Sequence, residues 1–223
     1  MLFIVASIGH EETAKAASEY CECWRGGRCR GFERCTRSEE KGLSTNTNGP
    51  PAWVTESVYL VDADPAWALR GEQERDELEG LLAPWLVAHV EHVGSTSIPG
   101  LAAKPIIDLQ APVFDLADPQ PLVATLQPYG WHYVDPDLDQ RPWRRFFVKV
   151  TEGRRSAHLH VMAFDSPRWH QQLTFRDALR AKPVLVADYA ALKRALASEY
   201  AGDREAYSDA KADFIESVLN GPS

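Results

Sequence analysis

The sequence predicts an α+β fold: one mixed β-sheet with helices packed on it and a helical C-terminal third. Three observations carry that expectation. Short apolar runs alternate with proline-capped helical stretches between residues 57 and 165. Helix-length segments then follow one another from Ser166 to the C-terminus with no strand between them. Finally, a loop of small residues, Gly94-Ser95-Thr96-Ser97, separates two apolar runs, and the second run carries a carboxylate, Asp108.

Taken in order, residues 1–51 read as a leader and linker and residues 52–223 as the folded body. A short helix is expected around Glu11–Trp24. The polar, turn-rich stretch 36–51, "TRSEEKGLSTNTNGPP", has the composition of a flexible connection. All four cysteines fall in the leader, as C-x-C-x5-C-x5-C from Cys21 to Cys35. That spacing lacks the C-x2-C pairs of common zinc modules, and unpaired thiols are the plainer reading.

In the body, "SVYLV" is expected as a strand. Asp64-Pro65 supplies a cap and a first-turn proline for a helix running to about Leu82. "WLVAHVEHV" reads as a strand ending at Gly94, and "KPIIDLQAPV" as a second, with Pro105 near its start where a missing donor matters least. Asp118-Pro119 opens a short helix closed at Gly130. "WHYV", "RRFFVKV" and "AHLHVMAF" follow as strands, the last two as a hairpin. Ser166-Pro167 starts a helix that stops before Pro183, and two more are expected over 184–200 and 203–219.

Composition narrows function. The chain has 223 residues, and its net charge of −8 arises wholly outside residues 1–50. An acidic body argues against non-specific binding to a nucleic-acid backbone, yet it leaves room for a local basic pocket. No apolar run approaches the ~20 residues of a membrane span. "MLFIVASIGHEE" lacks the basic start of a signal peptide, so a cytoplasmic location is expected.

Several residues are candidates for chemistry. Gly94 and Ser95 follow an apolar run, where small residues bring backbone N–H groups close to an anion; taken alone, a tight turn with Ser/Thr capping the next segment is the plainer reading. The spacing is not that of a Walker A loop. Asp108 shares a strand face with Ile106 and Gln110. A carboxylate there needs a cation, a metal ion or hydrogen-bond donors. His158 and His160 share one face about 6.5–7 Å apart; they suit metal ligation, phosphate contact, proton transfer, or plain burial. His92 stands on similar terms. Arg176, Lys193, Tyr207 and Lys211 lie on C-terminal helices, where cations are usually solvated.

The blocks "VEHVGSTSIPGLAAKPIIDL", "RRFFVKV", "HLHV", "FRDALR", "DYAALKRAL" and "YSDAKADFI" resemble, in order and spacing, the GrpB family of small bacterial proteins. The similarity runs from about Val58 to Leu219. The family is grouped with the nucleotidyltransferase fold of the DNA polymerase β type. The resemblance therefore implies a mixed sheet of nucleotidyltransferase type, with a Gly-Ser loop for a triphosphate and a D-x-[DE] strand whose carboxylates hold Mg²⁺. Gly94 and Ser95 match the loop and Asp108 the first carboxylate. Position 110 departs from the pattern, because Gln110 offers a neutral oxygen where a charged ligand is expected.

What the resemblance implies is a protein transferring a nucleotidyl group from a nucleoside triphosphate to a small acceptor, with Mg²⁺ or Mn²⁺ as cofactor. Gly94, Ser95 and Thr96 would hold phosphates. Asp108, His158 and His160 would bind metal or exchange protons, a set that suits Mn²⁺, Zn²⁺ or Fe²⁺ better than Mg²⁺. Lys104, Arg176, Lys193 and Lys211 would balance phosphate charge if the C-terminal helices fold over the sheet. Two alternatives stand beside it. One is a non-catalytic nucleotide- or phosphate-ligand-binding module linked to coenzyme A metabolism, since some family members are fused to dephospho-CoA kinase. The other is a metal-dependent hydrolase.

Overall fold

The protein's structure, a computed structural model, describes Trp53 and residues 56–221. The leader, its cysteines, the helix expected over 11–24 and the linker over 36–51 lie outside the described residues.

Five strands form one sheet: β1 (Glu91–Val93), β2 (Ile107–Val113), β3 (Trp131–Val134), β4 (Arg145–Thr151) and β5 (Arg154–Ala163). Their spatial order is β1-β2-β5-β4-β3. Only β2 and β5 run parallel; the other neighbours are antiparallel. The helices are α1 (Ala66–Leu82), α2 (Gln120–Leu126), α3 (Pro136–Asp139), α4 (Pro167–Ala181), α5 (Pro183–Glu199), α6 (Arg204–Asp209) and α7 (Ala212–Asn220). This is the α+β class expected from the sequence, with the mixed sheet first and helices filling the C-terminal third.

The period of two along each strand assigns the faces. Ile107, Leu109, Ala111, Val113, Leu159 and Val161 point to one side. There they form the main core with Trp67, Leu78 and Leu82 of α1 and Leu122 and Leu126 of α2. The opposite face carries Asp108, Gln110, His158, His160 and Phe146. A second apolar cluster joins Ile98 and Leu101, just after the Gly94 loop, to Leu179 of α4 and Tyr189 of α5. Tyr189 stacks on Phe214 of α7 at 5.0 Å. The C-terminal helices are thereby anchored to the loop that borders the polar face.

Local caps behave as the sequence indicates. Asp64 Oδ1 accepts from the Ala66 N–H at 2.9 Å, and Asp118 Oδ1 from the Gln120 N–H at 3.0 Å. Gly130 closes the 3₁₀ turn after α2 at φ 81°.

Three expected elements differ. "SVYLV" forms no strand, because Val61 finds a single partner, exchanging backbone hydrogen bonds with Ala103. "WLVAHVEHV" forms a continuous strand only over Glu91–Val93; upstream, Leu86 makes an isolated bridge to Val113 and the Val87 N–H donates to Pro112 O at 3.1 Å. The β1–β2 register pairs Glu91 with Gln110, and continuing it would set His89 against Pro112, which has no N–H to donate. The helix expected over 203–219 breaks into α6 and α7 around Ala210–Lys211. No Gly or Pro marks that break; Lys211 sits there with its Nζ 4.3 Å from the centre of the Tyr207 ring.

Candidate functional site

The polar face of the sheet floors a cavity of about 830 Å³. Gly94, Ser95 and Asp108 line it at the β1–β2 end, His158 and His160 in the middle, and Tyr133, Asp135 and Leu138 at the β3–α3 edge. From β2 to β3 is three inter-strand spacings, about 14 Å. Lys104, Lys193, Tyr207 and Lys211 face the same space from the β2 approach and the C-terminal helices.

Strand register explains the centre. Asp108 is paired with His158 and Gln110 with His160 across the parallel β2–β5 ladder, so all four side chains leave the same face. His158 Nδ1 lies 3.0 Å from Asp108 Oδ1. Asp108, His158 and His160 each bring one ligand-type atom within 4.8 Å of the others. The sequence expectation that these three groups converge is therefore met.

Gly94 is fitted to this carboxylate. It adopts φ 66°, ψ −172°, a region kept almost wholly by glycine. A Cβ there would lie 2.3 Å from Asp108 Oδ2. The loop then makes a 3₁₀ turn over Ser95–Ser97, closed by Ser97 Oγ donating to Gly94 O at 2.7 Å.

Burial alone would raise the Asp108 carboxyl. The hydrogen bond donated by His158 and the nearby Lys104 ammonium outweigh it and hold the group at about 2. Burial depresses His158, against the pull of Asp108. A neutral ring still donates Nδ1–H to the carboxylate, so the pair rests as carboxylate and neutral imidazole. With Nδ1 used, the remaining lone pair of His158 is on Nε2, which is buried without a partner. His158 thus holds the Asp108 carboxylate in place on the cavity floor.

Lysines surround the carboxylate. Burial lowers Lys193 to about 7, helped by Lys211 and Lys104 and opposed by Asp108. Its Nζ donates to Ala102 O at 2.5 Å. Burial lowers Lys211 to about 8, again opposed by Asp108. Lys104 Nζ lies 5.1 Å from the centre of the Tyr207 ring, the same ring that Lys211 approaches.

Two expected ligand-binding residues are placed elsewhere. Thr96 is buried; its hydroxyl bonds His92 Nε2 at 3.0 Å and donates to Ile106 O at 3.2 Å. Arg176 reaches Glu91 Oε2 at 2.6 Å and His92 O at 3.0 Å, outside the cavity. Both stabilise the loop and β1. His92 packs its ring against Gly71 of α1, where a Cβ would sit 2.1 Å from Nδ1.

Gln110, which stands where the fold's second carboxylate is expected, is fully buried, and its Nε2 donates to Trp169 O at 3.3 Å. It ties α4 to the sheet and does not line the cavity. Sequence reading missed Asp139 and Arg144. Arg144 Nε donates to Asp139 Oδ2 at 2.8 Å, its Nη2 bonds Asp139 Oδ1, and its Nη1 meets His160 Nδ1. The Asp135-Pro136 pair, a cap-and-proline signature like those read elsewhere, marks α3 and so marks where Asp139 sits.

A divalent ion at this centre would need Asp108 with the two imidazoles. In the structure one ring nitrogen of His158 bonds Asp108 and its Nε2 is without a partner, while Nδ1 of His160 meets the Arg144 guanidinium.

A mixed five-stranded sheet, a Gly-Ser loop against a strand carboxylate and packed C-terminal helices define an α+β protein of nucleotidyltransferase type. The particular family is also clear: residues 57–221 match the model of the GrpB protein family, and the chain belongs to it. It is 39% identical over 166 residues to a UPF0157 protein of Pseudomonas aeruginosa, a match covering 73% of this chain and 66% of that protein, just under two thirds of its length. It is 31% identical over 167 residues to the glutamate-rich protein GrpB of Alkalihalophilus pseudofirmus, covering 73% and 94%. The crystal structure of the conserved protein GrpB from Enterococcus faecalis superimposes with a TM-score of 0.63 at 30% identity, over 73% of this chain and 95% of that one. The dephospho-CoA kinase of Mycolicibacterium paratuberculosis is 30% identical over 180 residues, a match covering 71% of this chain and 44% of that protein. Among the described residues no helix is long and apolar enough to cross a membrane.

Proposed function

We propose that this protein is a phosphate-ligand-binding module on a nucleotidyltransferase-type scaffold, taking a nucleotide-sized ligand without a resident metal ion. The observation that supports it is the convergence of Lys104, Lys193 and Lys211 with Gly94 and Ser95 on one cavity of about 830 Å³, a size suited to a small-molecule ligand. The phosphates lie among the lysines. The ligand's apolar part extends over Phe146 toward Tyr133 and Leu138. The likeness to part of a dephospho-CoA kinase supports a nucleotide of the coenzyme A type, in the cytoplasm, as the ligand class to try first.

Calorimetry with ATP, coenzyme A and inorganic pyrophosphate in EDTA tests this reading. Saturable, salt-sensitive binding is expected, weakened by Lys193→Met and Lys211→Met. Asp108→Asn removes an anion from the cavity and strengthens binding. Absence of binding in EDTA, with recovery in Mn²⁺, contradicts it.

A second reading, nucleotidyl transfer from a nucleoside triphosphate to a small acceptor, is favoured by the approach of Asp108, His158 and His160 within 4.8 Å. Pyrophosphate release that needs both a divalent ion and Asp108 distinguishes it.

A further inference from the structure

The Asp139–Arg144–His160 relay runs from α3 across β4 to the middle of β5 and ends on the cavity wall. Its logic follows from what each group is able to offer. A guanidinium has only N–H donors and no acceptor. The nitrogen it meets, His160 Nδ1, must therefore present a lone pair. A neutral imidazole has one donor and one acceptor, so the ring proton is then on Nε2. His160 lines the cavity, and its Nε2 has no hydrogen-bond partner among the described residues. Its neighbour is wired the opposite way, with the proton of His158 on Nδ1 toward Asp108.

Arg144 is itself held firmly. Its side chain is 9% exposed and that of Asp139 6%. The carboxylate takes two guanidinium nitrogens, and the guanidinium carbon lies 4.0 Å from the centre of the Phe146 ring. Rotating Arg144 away would strip Asp139 of its buried partner.

We propose that Arg144 is a positioning residue that fixes His160 as an Nε2–H donor, so that this wall of the cavity receives an anionic phosphate oxygen and refuses a metal ion. A metal on Nε2 would require the ring proton on Nδ1, head-on to the Arg144 N–H, with a permanent cation in contact. The phosphate oxygen, in contrast, gains both a donor and the guanidinium charge behind it. The inference rests on the phosphate-ligand reading for its ligand class, but the tautomer stands independently of it.

Long-range ¹H–¹⁵N spectra of the full chain, labelled at histidine nitrogens, report which ring nitrogen carries the proton. In the ligand-free wild type, His160 is expected as the Nε2–H tautomer, a result no folding variant is needed to obtain. An Nδ1–H tautomer overturns the proposal, as does a Zn²⁺ titration that moves the His160 Nε2 resonance. In Arg144→Met the tautomer preference is lost and Zn²⁺ affinity at this ring rises. Pyrophosphate calorimetry then tests the ligand class. His160→Asn loses about tenfold or more in affinity, while His160→Gln, whose amide N–H reaches the Nε2 position, retains most of it. Equal losses in the two variants overturn the donor role. A correct tautomer with no pyrophosphate binding in any variant refutes the phosphate assignment and leaves the Arg144–His160 relation standing.

Discussion

Gly94 and Asp108 are in contact across the β1–β2 pair so closely that a Cβ on the glycine would fall 2.3 Å from the carboxylate Oδ2 and 2.8 Å from Asp108 Cβ. Val93, immediately before the glycine, is the strand partner of Asp108. The chain therefore leaves β1 by wrapping over the side chain opposite it, and only a residue without Cβ follows that path. The carboxylate is pinned between His158 on one oxygen and the loop backbone on the other.

Gly94→Ala is expected to cost about 2–4 kcal/mol, combining backbone strain at positive φ with overpacking. Gly100→Ala provides the control. Gly100 also has φ 75° but open space where a Cβ would go. Urea denaturation should show Gly94→Ala as the more damaging of the two. Equal losses would mean the Asp108 contact is not the source of the difference.

Acid sensitivity should trace in part to His92. Burial, with the charges of Arg180 and Arg176 and against that of Asp108, lowers this imidazole to about 4. Its Nε2 is engaged by Thr96 and its Nδ1 faces Gly71, so an added proton finds no acceptor. The fold prefers the neutral ring. Stability from this group is fully present above the unfolded value near 6.5 and is lost as pH falls from there toward 4. Urea midpoints measured across that window should fall in the wild type and fall less steeply in His92→Gln. Identical slopes would remove His92 from the account.

Much of this arrangement was legible where the cause is local. Asp64-Pro65 and Asp118-Pro119 mark helix starts because a side-chain hydrogen bond and a fixed φ act within one turn, and Ser166-Pro167 does so through the proline φ alone. Asp108, His158 and His160 could be placed on common faces because strand alternation is local too. The extent of β1 was not legible, since it depends on which residue of β2 stands opposite, and Pro112 is distant in the chain. Neither was the Arg144–His160 contact, which exists only once β4 and β5 pair with Phe146 opposite His160. Thr96 and Arg176 carry the right chemistry for a phosphate site, but their direction is set by tertiary partners, His92 and Glu91.

Proton uptake on ligand binding should reveal the buried lysines. Lys193 and Lys211 stand at about 7 and about 8, so at pH 8 Lys193 is mostly neutral and Lys211 about half charged. A bound phosphate favours the ammonium form and raises both values. Binding at pH 8 therefore takes up protons, and affinity increases as pH falls through the 9–7 window. Calorimetry with pyrophosphate in buffers of different ionisation enthalpy measures the uptake. It should be clear at pH 8, small by pH 6, and reduced in Lys193→Met. No uptake at pH 8 would place the anion away from these two groups.

Gln110→Glu restores the acidic residue that the nucleotidyltransferase pattern has at this position, and it should harm the protein rather than arm it. The Gln110 side chain is completely buried and its amide donates to the Trp169 carbonyl. A glutamate has no N–H to give there, and as an anion it would face a carbonyl oxygen. Burying an unpaired charge in that position costs several kcal/mol unless the group takes a proton. The substitution should lower stability by about 2–4 kcal/mol at neutral pH and recover part of that loss on acidification, as the new carboxyl becomes a donor to Trp169. Thermal denaturation of both proteins with and without Mg²⁺ or Mn²⁺ is the decisive comparison. If the divalent ion stabilises Gln110→Glu selectively, the side chain has turned into the cavity and completed a metal site, and the structural role assigned to Gln110 is wrong. If the loss is the same in EDTA and in metal, position 110 serves here as a tether between α4 and the sheet.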